Sequence, residues 1–327
     1  MAFVSNKMSN KKRWLLLLKI LVSVSLLVYL FLEMDTSAFV ERISQLSLWF
    51  VLFAWVYYAA CQWVSAYRWQ MFLAVKSIHV RLKTLFSFYM VGMFLNNFLP
   101  GAVGGDAVKA YDLYRHTDDG NISVASVFLE RFTGLIALVV IAVVAALFGM
   151  QDIESDMVFW SVWGTVAFLS VVIFLIWSGP GLSLISGLMK MLLPAFIERR
   201  FSELYQAVHS YRAHGNVLVK AILISIVLQF LFALYYLLTA QALGIEVDLV
   251  YFLLFLPLIT IVTMIPISFG GLGVREAMMV VLFAEVGVSS ADIMSISLTV
   301  HVINTLLSLW GGAIFMTRRS PAENKAS

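Results

Sequence analysis

Residues 99–110 read LPGAVGGDAVKA, a proline, three glycines, an aspartate and a lysine set inside an otherwise apolar stretch. Residues 265–277 read IPISFGGLGVREA. Pro100 is followed at +4, +5, +8 and +9 by Gly104, Gly105, Val108 and Lys109. Pro266 is followed at the same offsets by Gly270, Gly271, Val274 and Arg275. One unusual pattern thus occurs twice, 166 residues apart in a chain of 327.

What the pattern means depends on its surroundings. Hydrophobic residues make up 61% of the chain and charged residues 13%, against roughly 45–50% and about 25% in soluble domains. Apolar runs at 14–32, 46–66, 124–149, 158–178, 217–240 and 293–317 match the ~20 helical residues that cross a bilayer. The chain reads as an all-α, polytopic membrane protein. No polar region is long enough for a separate soluble domain, so residues 1–327 read as one integral membrane domain. The run 14–32 follows a basic flank but exceeds a signal-peptide core of about 7–15 residues and offers no small-residue cleavage site. It reads as a retained first span.

Two further apolar segments, 85–115 and 249–286, contain the Pro/Gly patterns. The stretches 1–13, 68–83, 179–220, the residues after the first pattern and the C-terminal tail hold 17 of the 22 Lys and Arg. The connections 33–45, 150–157, 241–248 and 285–292 hold one, Arg42, against ten acids. By the positive-inside rule the basic set and both termini are cytoplasmic, which predicts a multi-pass protein of the cell (inner) membrane. Segment 85–115 has basic flanks on both sides, and 249–286 has acidic flanks on both sides. Each is therefore expected to enter and return as a re-entrant hairpin, one from each face. The expected architecture is six full spans plus two broken-helix hairpins, in an inverted repeat of 14–150 and 158–317. Many secondary transporters share this plan, with sites at broken helices near the midplane. Three crossings over 249–317 remain the alternative. The stretch 181–214, with Arg199, Arg200 and Arg212, reads as a cytoplasmic interfacial amphipathic segment.

Glycines let backbone N–H groups converge on an anion, and a helix that starts at mid-bilayer presents a partial positive charge. Asp106 or a neighbour is expected to cap the helix after Gly105. Lys109 and Arg275 lie one turn into the second arms, where a buried cation calls for an anion. That anion is either a substrate headgroup or an internal partner: Asp106 for Lys109, and Glu276 or Glu130 for Arg275 or Arg131. The candidate substrate residues are Asn97, Pro100, Gly104, Gly105, Asp106, Lys109, Pro266, Gly270, Gly271, Gly273, Arg275 and Glu276. Glu130, Arg131 and Asn304 are candidates for coupling or gating. The pair Glu130–Arg131 is expected near the cytoplasmic interface, and Arg68–Trp69 as an interfacial anchor. Asn96, Asn97 and Asn304 suit interhelical hydrogen bonds, and His301 a packed position. Cys61 has no partner for an internal disulfide, and no Cys/His set has metal-ligand spacing, so no metal or other cofactor is expected. No Walker-type loop is present, so transport would be passive or coupled to an ion gradient, with Asp106, Glu130 and Glu276 as the acids to test.

On Asn96-Asn97-Phe98-Leu99-Pro100-Gly101, Gly104-Gly105-Asp106 with Lys109, Leu129-Glu130-Arg131 with Gly134, and Pro266 with Gly270 through Glu276, the chain resembles a known family. It is the integral membrane region of lysylphosphatidylglycerol synthases, with the stand-alone flippase-like proteins that share it. Arg68-Trp69 also fits. Lys109 stands where the family often has arginine, which keeps the charge and loses the bidentate fork. The resemblance implies a lipid translocase for an anionic or headgroup-modified lipid. It does not imply synthase chemistry, because the chain ends ten residues past the last expected span. The competing readings are a scaffold for a lipid-modifying enzyme or glycosyltransferase, and a membrane-embedded headgroup enzyme. No reading implies a nucleic-acid partner.

Overall fold

The computed structural model describes residues 10–97, 104–151, 153, 155–178, 205–265, 268 and 271–317. Among these the fold is all helical. The helices are α1 Asn10–Glu33, α2 Thr36–Ser44, α3 Leu48–Val75, α4 Leu82–Asn96, α5 Gly104–Thr117 and α6 Gly120–Gly149. They continue as α7 Asp156–Trp177, α8 Gly215–Ala242, α9 Leu249–Met264, α10 Val274–Ala284 and α11 Ser290–Thr317.

Length separates two kinds of helix. Helices α3, α6, α7, α8 (extended back to Tyr205) and α11 are long and apolar enough to cross a membrane. The pair Leu21–Glu33 and Thr36–Ser44, bent by 96°, makes a sixth span if counted as one. In contrast α4, α5, α9 and α10 have 15, 14, 16 and 11 residues. At ~1.5 Å per residue none of them reaches across a ~30 Å hydrocarbon core. These four short helices flank the two Pro/Gly stretches, as the hairpin reading expects, and each successive pair packs together.

Local sequence sets the ends. Asp35 accepts from the N–H groups of Ser37 (2.9 Å) and Ala38 (3.2 Å) and starts α2. This helix lies inside 33–45, expected as a connection only; the Asp-Thr-Ser cap signal was there to read. Asp119 accepts from the Ile122 N–H at 2.9 Å and starts α6. Helix α3 runs on to Val75, past the expected end at 66, because Trp69, Phe72 and Leu73 pack wholly inside. Residues 179–204 lie outside the described set, so most of the expected interfacial segment does too. Its end, Ser210–His214, is a 3₁₀ turn whose Tyr211 is buried against Phe72.

Small residues bring the central helices together. A Cβ on Gly92 would meet the carbonyl oxygen of Gly105 at 2.9 Å, so α4 and α5 touch backbone to backbone there. A Cβ on Gly311 would collide with the Met90 carbonyl, which fixes the crossing of α4 and α11. Close approach through small residues is the usual route to tight packing in lipid. The asparagines do the expected gluing: Asn97 Nδ2 donates to Ser308 Oγ at 2.8 Å, and Tyr235 Oη donates to Asn304 Oδ1 at 3.3 Å.

Gly311→Val should lower stability by roughly 1–3 kcal/mol or more, the range for overpacking. Gly164, whose added Cβ would meet nothing within 4 Å, should tolerate alanine to within about 0.5 kcal/mol. Thermal unfolding in detergent compares the two.

Candidate functional site

The first motif sits in a buried ionic cluster. Glu130 on α6 accepts from Lys109 Nζ at 2.7 Å through one oxygen and from Arg68 Nη2 at 3.1 Å through the other. Arg68 also donates to Ser225 Oγ on α8. Asp106 faces Lys109 at 3.6 Å with one oxygen and binds Arg131 Nε with the other. The Lys109 ammonium lies 3.7 Å from the Tyr89 ring centroid and 5.1 Å from that of Trp69. Such faces attract a cation most when water is excluded. Trp69 is anchored in turn by Nε1 donating to Ser126 Oγ at 3.0 Å.

Three expectations are corrected here. Arg68 and Trp69 are not interfacial anchors; both are buried, because α3 continues past them into the bundle. Glu130 is packed inside the bundle, 5% exposed and ten residues into α6, while Arg131 beside it stays exposed. Asp106 does not cap α5. Asn96 does: its Oδ1 accepts from the Gly105 N–H at 2.6 Å, which leaves Asp106 for Arg131 and Lys109.

The second motif is neutralised locally. Glu276, fully buried, accepts from Arg275 Nε and Nη2 at 3.0 Å each, from Ser297 Oγ at 3.0 Å and from the Gly273 N–H at 2.7 Å. It therefore caps α10 and balances Arg275 at once. Gly273 has φ +80 and its absent Cβ would press on Ser23 of α1 at 2.9 Å, so glycine is required there for both backbone and space. Arg275 Nη2 lies 2.9 Å from His301 Nδ1. Since guanidinium only donates, that ring nitrogen accepts, and His301 is packed and satisfied as expected. The repeat holds for glycine and cation but not for counterion: Leu272 occupies the place of Asp106.

Both motifs open on cavities. The first, about 310 Å³, is lined by all five charged groups of the first cluster, with Gln62, Tyr89, Asn96 and Gly105 among its other walls. Two of its wall residues carry a buried polar atom, Arg68 Nε and Tyr89 Oη, with no hydrogen-bond partner among the described residues; both atoms lie behind the cavity surface. The second cavity, about 320 Å³, holds Arg275, Asn304, Tyr235 and Tyr236. Tyr58, Arg131, Gln229, Phe232 and Thr260 line both, so the two cavities abut at one wall. Arg131 is the outlier of the cluster, its side chain 45% exposed where the others are at most 13%.

Of the candidates from sequence, Gly105, Asp106, Lys109, Glu130 and Arg131 line the first cavity; Arg131, Arg275 and Asn304 line the second. Asn97, Gly104, Gly271, Gly273 and Glu276 line neither of them. Pro100, Pro266 and Gly270 lie outside the described residues. Sequence reading missed Tyr58, Gln62, Ser65 and Gln229. The first three form a polar stripe at +4 and +3 spacing on α3, on the face that continues to Arg68.

This fold and site define a polytopic helical membrane protein with broken helices around a buried ionic centre. Residues 16–311 match the family described as Lysylphosphatidylglycerol synthase TM region, and the chain belongs to that family. It is 27% identical over 263 residues to a UPF0104 membrane protein of Methanothermobacter thermautotrophicus, covering 74% of this chain and 76% of the relative. It is 29% identical over 142 residues to a UPF0104 membrane protein of Pyrococcus horikoshii, 42% of each chain. No solved structure matches it.

Glu130→Ala would leave Arg68 and Lys109 buried without their shared partner. A loss of about 3–5 kcal/mol is expected, the usual cost of breaking a buried pair. Thermal unfolding reads it, and an unchanged midpoint would contradict the cluster's structural weight.

Proposed function

We propose that the protein is a lipid translocase of the cell membrane, not an enzyme, that moves a lipid with an anionic headgroup between leaflets. The observation that carries this reading is the pair of abutting polar cavities inside the bundle, with Arg131 in the shared wall. The cations of the first cluster outnumber its carboxylates by one. Two wall residues, Arg68 and Tyr89, each hold one buried N–H or O–H without a partner, and a small side-chain shift would turn these toward an acceptor-rich ligand such as phosphate.

The charge of the connections supports cytoplasmic termini and opposite senses for the two halves. With that orientation, the first cavity lies near the middle of α3 and α6, at the facing ends of α4 and α5, the pair that enters from the cytoplasmic side. The second reaches Ile141 and Phe252, toward the outer ends of α6 and α9. A headgroup would thus pass Arg131 between an inner and an outer chamber, as alternating access about an inverted repeat requires.

A scaffold reading has one observation in its favour: Glu276 is saturated by Arg275, Ser297 and Gly273, so the second motif is also a packing device. Transport separates the readings. Purified protein in liposomes should move fluorescent anionic lipid between leaflets. Arg131→Ala, a half-exposed position, should fold normally and lose that movement by about tenfold or more, in line with loss of a charge-assisted contact. Equal transport by the variant would remove Arg131 from the path. A partner enzyme still recruited, with no lipid moved by the wild type, would favour the scaffold.

A further inference from the structure

The charge balance of the first cavity limits what it can hold. Its wall carries Arg68, Lys109 and Arg131 against Asp106 and Glu130, one formal positive charge in excess. The second cavity adds none, since Arg275 is balanced by Glu276. In a poorly solvated cavity an uncompensated charge is costly. One negative charge brings the cluster to neutrality; a second leaves it with an uncompensated anion.

The donors fit the same count. Arg68 Nε and Tyr89 Oη, on wall residues 8% and 7% exposed, lack partners among the described residues and lie just behind the cavity surface. A phosphodiester has two non-bridging oxygens and one negative charge. Asp106 already presents such a two-oxygen monoanion to Arg131 and Lys109.

We infer that the first cavity takes a singly charged phosphodiester headgroup and disfavours a doubly charged phosphomonoester, with Asp106 as the specificity-determining residue. Its carboxylate holds Arg131 at the shared wall and sets the cluster's net charge at one. The inference rests on the translocase reading for its ligand being a lipid. It goes further in fixing the ligand's charge and phosphate type.

The test is a titration of the detergent-solubilised full chain at pH 7.5 with short-chain phosphatidylglycerol and short-chain phosphatidic acid. At that pH the phosphomonoester, with its second ionisation near ~6, is a dianion. The wild type should bind the diester about tenfold more tightly, one charge in a partly screened site. Asp106→Asn raises the net charge to two and should shift the preference toward the monoester by about tenfold or more. Asp106→Glu keeps the charge and should keep the wild-type preference. If Asp106→Asn does not fold, Arg131→Gln brings the net charge to zero and should weaken both lipids.

Equal or tighter binding of the monoester by the wild type would overturn the inference. So would an Asp106→Asn variant that weakens both lipids alike, or binding of neither lipid. Selective binding without leaflet transport would sink the translocase and leave the charge limit standing. Transport of both lipids without preference would do the reverse. Deacylated glycerophosphoglycerol bound as tightly as the lipid would keep the charge rule and overturn a lipid as its source.

Discussion

The structure depends on the carboxylate of Glu130. It sits between Lys109 on α5 and Arg68 on α3, and Arg68 reaches on to Ser225 on α8. One acid thus ties four helices, three from the first half of the chain and, through Arg68, one from the second. A cation buried at membrane depth costs about 2.5–3.5 kcal/mol on insertion scales, and two are present beside it. Without Glu130 the first motif could not keep its lysine inside the bundle. With it, Lys109 is held down onto Tyr89 and Trp69, and Asp106 is left to engage Arg131.

The two motifs solve one problem by different routes. Each starts a helix inside the bundle and places a cation one turn along. In the first, the cap comes from Asn96 of the preceding arm and the counterion from a distant helix. In the second, Glu276 supplies both within three residues of Gly273. The first therefore takes its counterion from another helix, while the second carries its own and reaches α11 only through Ser297 and His301. A charge centre assembled from several helices is open to rearrangement when they move; a local capping pair travels with its own helix. That difference agrees with the excess charge and the unpartnered donors both lying at the first motif.

Much of this was legible in the sequence. Apolar run lengths gave the long helices to within a few residues at most ends, and Pro/Gly with charge counting marked the short ones. The misses share a cause. Arg68 at the end of an apolar run looks like an anchor unless the apolar WQMFLAV continuation is weighed with it. The Asp35-Thr36-Ser37 cap was passed over inside an acidic connection. The site was half legible: both cations were found from spacing, but Glu130 is 21 residues from Lys109, and only the packing of α5 on α6 joins them. The pairing of Arg131 with Asp106 is tertiary in the same way.

The central claim is that the two cavities are successive chambers facing opposite sides of the membrane. Accessibility to a membrane-impermeant thiol reagent tests it in oriented vesicles, with Cys61, the free buried cysteine, replaced by serine. Gly134→Cys places a thiol in the first cavity, where an added Cβ meets nothing within 4 Å. Leu256→Cys places one in the second. The expected result is labelling of position 134 from the cytoplasmic side and of position 256 from the outer side. Labelling of both from one side, or of neither from any, would contradict a path through the protein.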